Sequence, residues 1–316
     1  MCKGRLIVLI LKEITATPVK NNYLSLAIGN FDGVHQGHKE LLAQAVKDAR
    51  LHNGESAILT FWPHPLTTLN KEIPLKLLTL LEKKQELIAA TGIDIAYFVP
   101  FSEAVRDLSP EYFVRDILSD ALQVSSVHVG YNFNFGKFAK GNVEDLKQLS
   151  KKHGIRAEIL PQVLISGQPV SSTLIRQYIE DGEIEAANNL LGYKYTIEGK
   201  VVQGEKRGRA LGFPTANLEL EKETVQPAKG VYAAYVYINS ESFPAVLNIG
   251  HKPTFRLGLG LALEAHILGF EGNLYDKFLS VEFISRIRSE KKFSSAELLI
   301  QQIQQDIKEA KHLLKV

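Results

Sequence analysis

The stretch GNFDGVHQGHKELL, residues 29–42, sets three glycines, an Asn, an Asp and two histidines where an apolar run hands over to a helical pattern. Before it, YLSLAIG (23–29) reads as a buried strand. After it, HKELLAQAVKDAR (38–50) carries apolar residues at helical spacing. A glycine-bearing junction of this kind lies where open parallel sheets bind ligands, outside the carboxyl ends of their strands. The first helical turn adds unpaired backbone N–H groups and the positive end of the helix dipole, both suited to phosphate. Gly33 and Gly37 allow close backbone approach, and His35 and His38 can aim imidazole donors at the same anion. A plain strand-to-helix turn bearing two surface histidines is the alternative.

Outward from this junction the alternation continues. SAILTFW (56–62), IDIAYFVPF (93–101), VSSVHVGYNF (124–133) and 155–160 read as strands. LLTLLEKKQELIAATG (77–92), SPEYFVRDILSDAL (109–122) and 143–153 read as the helices between them. Ser109 suits a cap, Pro110 the first helical position, and Glu111 the dipole. Strands separated by helices of this length predict a parallel sheet with right-handed crossovers. After about residue 186 the texture changes. Short strands such as YTIEGKVVQG, GVYAAYVYIN, FPAVLNIG, LEAHILGF and KFLSVEFISRIR follow one another, broken by Gly, Pro and Asn. They predict a small antiparallel barrel or sandwich, closed by a capped amphipathic helix over 294–315. The division is placed at NNLLGYKY (188–195), giving domains 1–187 and 188–316.

At 316 residues, two domains are a fair prior. With 45% hydrophobic and 23% charged residues the chain has ample material for a core. A net charge of +2 gives no reason to expect nucleic acid or a membrane surface as the main partner. The single cysteine, Cys2, cannot form an internal disulfide and fits a reducing compartment. RLIVLIL (5–11) is too short for a signal peptide, is closed by Lys12 and Glu13, and precedes no small-residue cleavage site. No segment approaches the roughly 20 apolar residues of a membrane span. A cytoplasmic protein, monomeric or weakly self-associating and acting on small molecules, is expected.

Other phosphate motifs fail. GYNFNFGKF (130–138) has one residue too many for a Walker A loop and Phe138 after its lysine. GLGLALE (258–264) lacks the third glycine of a dinucleotide fingerprint. Zinc on His35 and His38 would need further ligands, and there is no cysteine pair.

HxGH after a first strand resembles the nucleotidylyltransferase superfamily. GNFDGVHQGH with VSSTLIR (170–176) is similar to the FAD synthetase domain of the bacterial bifunctional riboflavin kinase/FAD synthetase family. In the second half, KRGRALGFPTANL (206–218), GVYAAYV (230–236), NIGHKPTF (248–255), LEAHIL (263–268) and RIRSEKKF (286–293) resemble the riboflavin kinase module. The resemblance covers nearly the whole chain. It implies an α/β fold: a Rossmann-like nucleotidylyltransferase parallel sheet with helices on both faces, then an antiparallel riboflavin kinase-like barrel with a terminal helix. It further implies two ATP-dependent reactions, riboflavin to FMN and FMN to FAD. A nucleotidylyltransferase of another specificity, or a non-catalytic flavin or nucleotide-binding regulator on the same scaffold, are the competing readings. The PTAN module weighs against the former, and retention of HxGH, PTAN and Glu264 against the latter.

For FAD formation the FMN phosphate is itself the nucleophile, so catalysis rests on alignment and charge stabilisation. By resemblance His35 and His38 line the ATP phosphates, and Asn30, Phe31, Asp32 and Gly33 shape the nucleotide pocket. Ser172, Thr173 and Arg176 hold the triphosphate, though an N-cap with a solvated arginine would look the same. Leu174 stands where a basic residue is common. GYNFNFG (130–136) resembles a family segment in which Asn132 and Phe133 contact flavin or adenine; its aromatics could equally be core. His64 in FWPHP could be a contact or a loop residue held between prolines.

For the kinase, Mg²⁺ favours hard oxygen ligands. Thr215 and Asn217 occupy alternate positions of GFPTAN, so an extended chain points both the same way. Glu264 is the candidate base for the riboflavin hydroxyl. By resemblance Lys206, Arg207, Gly208 and Arg209 would form a flexible basic flap over ATP, Gly212 and Thr215 join that site, and Arg288 resembles a flavin-side residue. Asp276 replaces a usual glycine, which brings local loop geometry into question.

Overall fold

The computed structural model describes residues 8–14, 19–69, 75–204, 208, 211–239, 241–251 and 261–316. By packing, the chain divides into two compact units, Met1–Val170 and Ser171–Val316.

In the first unit β1 (Leu9–Leu11), β2 (Leu24–Ile28), β3 (Glu55–Phe61), β4 (Ile95–Val99), β5 (Ser126–Gly130) and β6 (Arg156–Leu160) form one sheet in the order β1-β4-β3-β2-β5-β6. Every pairing in it is parallel. Successive residues of a strand face opposite sides, and here both sides are apolar. Leu26, Leu59, Tyr97 and Val127 pack with Val114, Leu118, Leu146 and Leu149 on one face. Ala27, Ile58, Ala96 and Phe98 pack with Leu41, Leu42, Ala45 and Ile88 on the other. The expected sheet with helices on both faces is therefore present, and its two-sided burial explains why the strands read as continuous apolar runs.

The helices depart from expectation in detail. The one expected over 77–92 forms only over Leu81–Ala89, and Leu77 to Thr79 are used otherwise, as described below. Gly92 lies beyond its end at φ +82°, in the left-handed region that favours glycine. Pro110–Tyr112 opens on a Ser109 cap, whose Oγ accepts from the Tyr112 amide at 3.3 Å, and the segment continues as π-helix over Phe113–Ala121. Edge strand β1 was not foreseen, because three residues are too few for a periodicity. A hairpin of β7 (Leu164–Ile165) and β8 (Gln168–Pro169) follows the sheet.

The second unit begins with helices Ser172–Asp181 and Ile184–Leu191. Then β9 (Thr196–Val202), β10 (Ala216–Leu220), β11 (Gly230–Ile238), β12 (Glu241–His251), β13 (Leu261–Ile267) and β14 (Phe278–Arg288) close an antiparallel barrel in the order β10-β13-β12-β11-β14-β9. Leu247, Ile249, Leu263, Ala265, Val281 and Phe283 alternate along their strands and are wholly buried, as a small filled barrel requires. Helix Ala296–Leu314, capped by Ser295, covers part of the outside through Ala310 and Leu314 against Ala233.

Helix Ile184–Leu191 falls on NNLLG, where the sequence suggested only a change of texture. Buried Asn188 fixes it to the barrel, donating to the Phe283 carbonyl at 3.0 Å and accepting from the Tyr195 amide at 2.7 Å. Arg286 ties the preceding helix to the same unit through the carbonyls of Asp181 (3.2 Å) and Lys229 (2.6 Å). Units defined by packing thus separate at 170/171, whereas 1–187 and 188–316 is a division by motif.

Candidate active sites

The sheet order reverses between β2 and β5: β3 and β4 lie to one side, β6 to the other. The loops leaving β2 and β5 therefore flank the crevice where doubly wound sheets bind ligands. Residues 29–35 are the β2 loop. Phe31 and Val34 hold φ of +48° and +34°, and Gly33 +80°, so the chain doubles back within a few residues. Two non-glycine residues in this region store strain that surrounding contacts must hold.

Those contacts come from residues 60–84. The buried Asp32 carboxylate accepts from the Leu78 amide at 3.0 Å and the Thr79 amide at 3.2 Å, and the Gly33 amide donates to Thr79 Oγ1 at 3.1 Å. The Asn30 carbonyl accepts from Lys84 Nζ at 2.9 Å and Thr60 Oγ1 at 3.2 Å. Asp32 is thus a tether of the loop, and the bend at Leu78 and Thr79 supplies its donors.

His35, almost fully buried, caps helix Gln36–Leu51: its Nδ1 accepts from the His38 amide at 3.2 Å. An accepting Nδ1 puts the proton of the neutral ring on Nε2. The two imidazoles stack with centroids 3.6 Å apart and planes 12° apart, and Phe31 meets His38 edge-on at 5.3 Å. Burial, then His35 and Lys84, push His38 well below the usual histidine value, so it is neutral at pH 7. Its Nδ1 is buried without a hydrogen-bond partner.

At the end of β5, Asn132 is exposed. Phe133 instead packs on the core, stacked on Phe135 at 5.6 Å. His64 is buried and its Nδ1 accepts from the Leu66 amide at 3.2 Å, closing a local turn.

Ser172, Thr173 and Arg176 belong to the second unit. The N-cap of their helix is Ser171, whose Oγ accepts from the Leu174 amide at 3.2 Å. Thr173 is exposed, and Ser172 and Arg176 are half-buried.

On the barrel, Asn217 of β10 lies directly opposite Glu264 of β13, and directly opposed residues share a face. Alternation puts the flanking Leu218, Leu263 and Ala265 inside the barrel, so Asn217 and Glu264 share the outer surface. A Cβ on Gly204 would lie 2.2 Å from Asn217 Nδ2, and one on Gly208 would lie 3.4 Å from Thr215 Oγ1. Asn217 therefore faces Gly204, and Thr215 faces Gly208. The Gly208 carbonyl also accepts from the amides of Leu211 (3.1 Å) and Phe213 (2.8 Å). Gly212 sits at φ +87°. Lys206, Arg207 and Arg209 lie outside the described residues.

Arg288 is engaged elsewhere. Its Nε and Nη2 donate to the Asp306 carboxylate at 2.9 and 2.7 Å, clamping the terminal helix to β14. That geometry supports a structural ion pair more directly than a flavin contact.

Two family models match in the order of the two units: FAD synthetase over residues 17–174 and riboflavin kinase over 191–314. The bifunctional riboflavin kinase/FMN adenylyltransferase of Listeria monocytogenes is 38% identical over 284 residues, covering 89% of each chain. That of Bacillus subtilis is 36% identical over 289 residues, covering 90% of each. The chain belongs to the bifunctional riboflavin kinase/FMN adenylyltransferase family. Its fold is also similar to the crystal structure of the "Macrolide-efflux Protein from Streptococcus pneumoniae", at TM-score 0.87 and 30% identity over 96% of this chain and 99% of that one. Among the described residues no helix is long and apolar enough to cross a membrane.

Both departures from the family pattern have a local account. Asp276 adopts φ +64°, the conformation a glycine would supply; Asp tolerates it, and its amide donates to the Val201 carbonyl at 3.0 Å. Leu174 contributes its amide to the Ser171 cap, a role any side chain permits. Three residues beside the sites escaped the motif reading. Lys84 is wholly buried, and its position on the apolar stripe with Leu81 and Ile88 was the available signal. Gly204 was hidden because its role is the absence of a side chain. His266, two residues after Glu264, has Nδ1 2.8 Å from the Pro214 carbonyl, steadying the approach to Thr215.

Proposed function

We propose that the family's two reactions are divided between the motif sets, 1–187 converting FMN to FAD and 188–316 converting riboflavin to FMN. The enzyme uses ATP in both and works on small molecules in the cytoplasm, as a monomer or weak homo-oligomer. The observation that supports the assignment is that the two residue sets fall in separate units: stacked histidines at a helix start in one, and Asn217 opposite Glu264 on a barrel face, with Thr215 nearby, in the other.

In adenylyl transfer an FMN phosphate oxygen bonds to the α-phosphorus of ATP while the α–β bridging bond breaks and pyrophosphate leaves. No side chain need act as nucleophile, so alignment and charge stabilisation supply the rate. The Gln36–Leu51 N-terminus and the N–H donors of neutral His35 and His38 serve that purpose. Asn132 is assigned to the flavin or adenine.

In the kinase reaction the riboflavin hydroxyl bonds to the γ-phosphorus, the β–γ bridging bond breaks and Glu264 takes the hydroxyl proton. Thr215 Oγ1 and Asn217 Oδ1 are hard oxygens two residues apart, and bare Gly204 leaves the Asn217 amide room; this donor set fits Mg²⁺. The ion, when bound, neutralises phosphate charge.

The test is chromatographic separation of riboflavin, FMN and FAD after incubation with ATP and Mg²⁺. His38→Ala should abolish FAD formation while FMN still accumulates. Glu264→Gln and Asn217→Ala should stop FMN formation while supplied FMN is still adenylylated. Loss of both activities in His38→Ala would refute the division.

A further inference from the structure

Lys84 is a charged side chain with no exposure, in a helix otherwise arranged with its charges outward. Burying an ammonium is costly unless it is used, and no step above uses it. Its Nζ donates to the Asn30 carbonyl at 2.9 Å and lies 5.2 Å from the Trp62 ring centroid. Asn30 begins the turn in which Phe31 and Val34 hold left-handed conformations, and that turn ends at His35, the cap of the helix bearing His38. Thr60 already satisfies the same carbonyl with a neutral hydroxyl, so a charge adds strength rather than a missing bond.

We propose that Lys84 is a positioning residue for adenylyl transfer, its buried ammonium fixing the Asn30 carbonyl so that the strained turn presents His35 and His38 to the ATP phosphates. The inference rests on the assignment of FAD formation to this loop. The groups facing Lys84 are the Asp32 carboxylate from the loop, His38 from helix Gln36–Leu51 and the uncharged Trp62 ring from the end of β3. On its own helix Lys83 turns away to pair with Glu86 at 3.0 Å. Burial, opposed by Asp32, lowers Lys84 to about 8. The tether is therefore charged at neutral pH and weakens to a neutral hydrogen bond in mildly alkaline solution, whereas an exposed lysine would stay charged well beyond pH 9.

The experiment compares both reactions of the full chain between pH 6.5 and 9.5, in wild type, Lys84→Met and Lys84→Arg. Wild-type kcat for FAD formation should fall above about pH 8 and level off toward that of Lys84→Met, while FMN formation shows no matching limb. Lys84→Met keeps the stem without the charge. It should lower kcat for FAD formation about tenfold or more, with a smaller change in KM for ATP, abolish the limb and leave the kinase unchanged. Lys84→Arg, charged throughout, should recover activity and lack the limb. A flat wild-type profile to pH 9.5, or Lys84→Met with wild-type kcat and the limb intact, overturns the inference. Should the variants fail to fold, the wild-type profile alone decides. Wild type forming no FAD at any pH overturns the site assignment and the inference with it; FAD formation without the limb overturns only the inference.

Discussion

Replacing Gly204 with alanine adds one methyl group, and the structure says where it goes. The new Cβ would lie 2.2 Å from Asn217 Nδ2, 2.5 Å from its Cγ and 2.7 Å from its Oδ1. Ordinary contact begins at 3.4 Å, so the amide nitrogen must retreat by about 1.2 Å. Gly204 is not in the left-handed region, so the substitution perturbs Asn217 rather than straining the chain at 204. Asn217 is itself buried, in a strand hydrogen-bonded on both sides, which directs the displacement into its side chain. A misplacement of about 1 Å in a positioning group costs on the order of 10²-fold in rate, or about 2.7 kcal/mol of transition-state stabilisation. Gly204→Ala should therefore lower kcat for FMN formation by about two orders of magnitude and raise the Mg²⁺ needed for half-maximal rate. FAD formation from supplied FMN serves as the internal control and should be unchanged. Kinase activity within twofold of wild type would show that the 204 backbone yields instead, and that the bare position is not what sets the Asn217 amide.

Two further perturbations follow from buried charges. Asp306→Ala leaves Arg288 unpaired in a largely buried site and should cost about 3–5 kcal/mol, whereas exchanging both partners for apolar residues should recover most of it; denaturant midpoints of the three variants check this, and a loss below about 1 kcal/mol for Asp306→Ala would refute it. Asp48, under the opposite end of the sheet, accepts from Ser126 Oγ, Tyr23 OH (2.9 Å) and Arg156. Burial would raise its pKa, but the bonds from Ser126 and Tyr23 with the Arg156 charge overcome this and hold it at about 2. Because that value lies below the unfolded one of about 3.9, its stabilisation is full above about pH 4 and is lost as pH falls toward 2. Asp48→Asn should accordingly lower the urea midpoint at pH 7 and approach wild type near pH 2.5; an equal gap at both pH values would contradict the linkage.

Much of this was legible in the sequence because the relevant interactions are local. A strand buried on both sides is a run such as LSLAI, a helix is a period, and a phosphate loop is glycines beside a helix start. Each leaves its signature within about a dozen neighbouring residues. Hence the parallel sheet, the β2 loop, the strand-rich second half, and Thr215 with Asn217 on one side of an extended chain were all readable, whereas Asn217 opposite Glu264 was not. What stayed hidden depends on residues far apart in the chain. Asp32 reads as a pocket residue until Leu78 and Thr79 are seen donating to it. Arg288 resembles a flavin-side residue in sequence, and its ion pair with Asp306 is visible only in the fold.

The sequence by itself determined the alternation of strand and helix, the change to antiparallel strands, and which residue types could handle phosphate, because periodicity and short motifs are properties of neighbouring residues. The tertiary structure alone decided which of those side chains are already committed to holding the protein together, which empty position makes room for Asn217, and which lysine is buried under the β2 loop. A close approach between segments tens of residues apart is set by packing, and packing leaves no mark on any single stretch of chain.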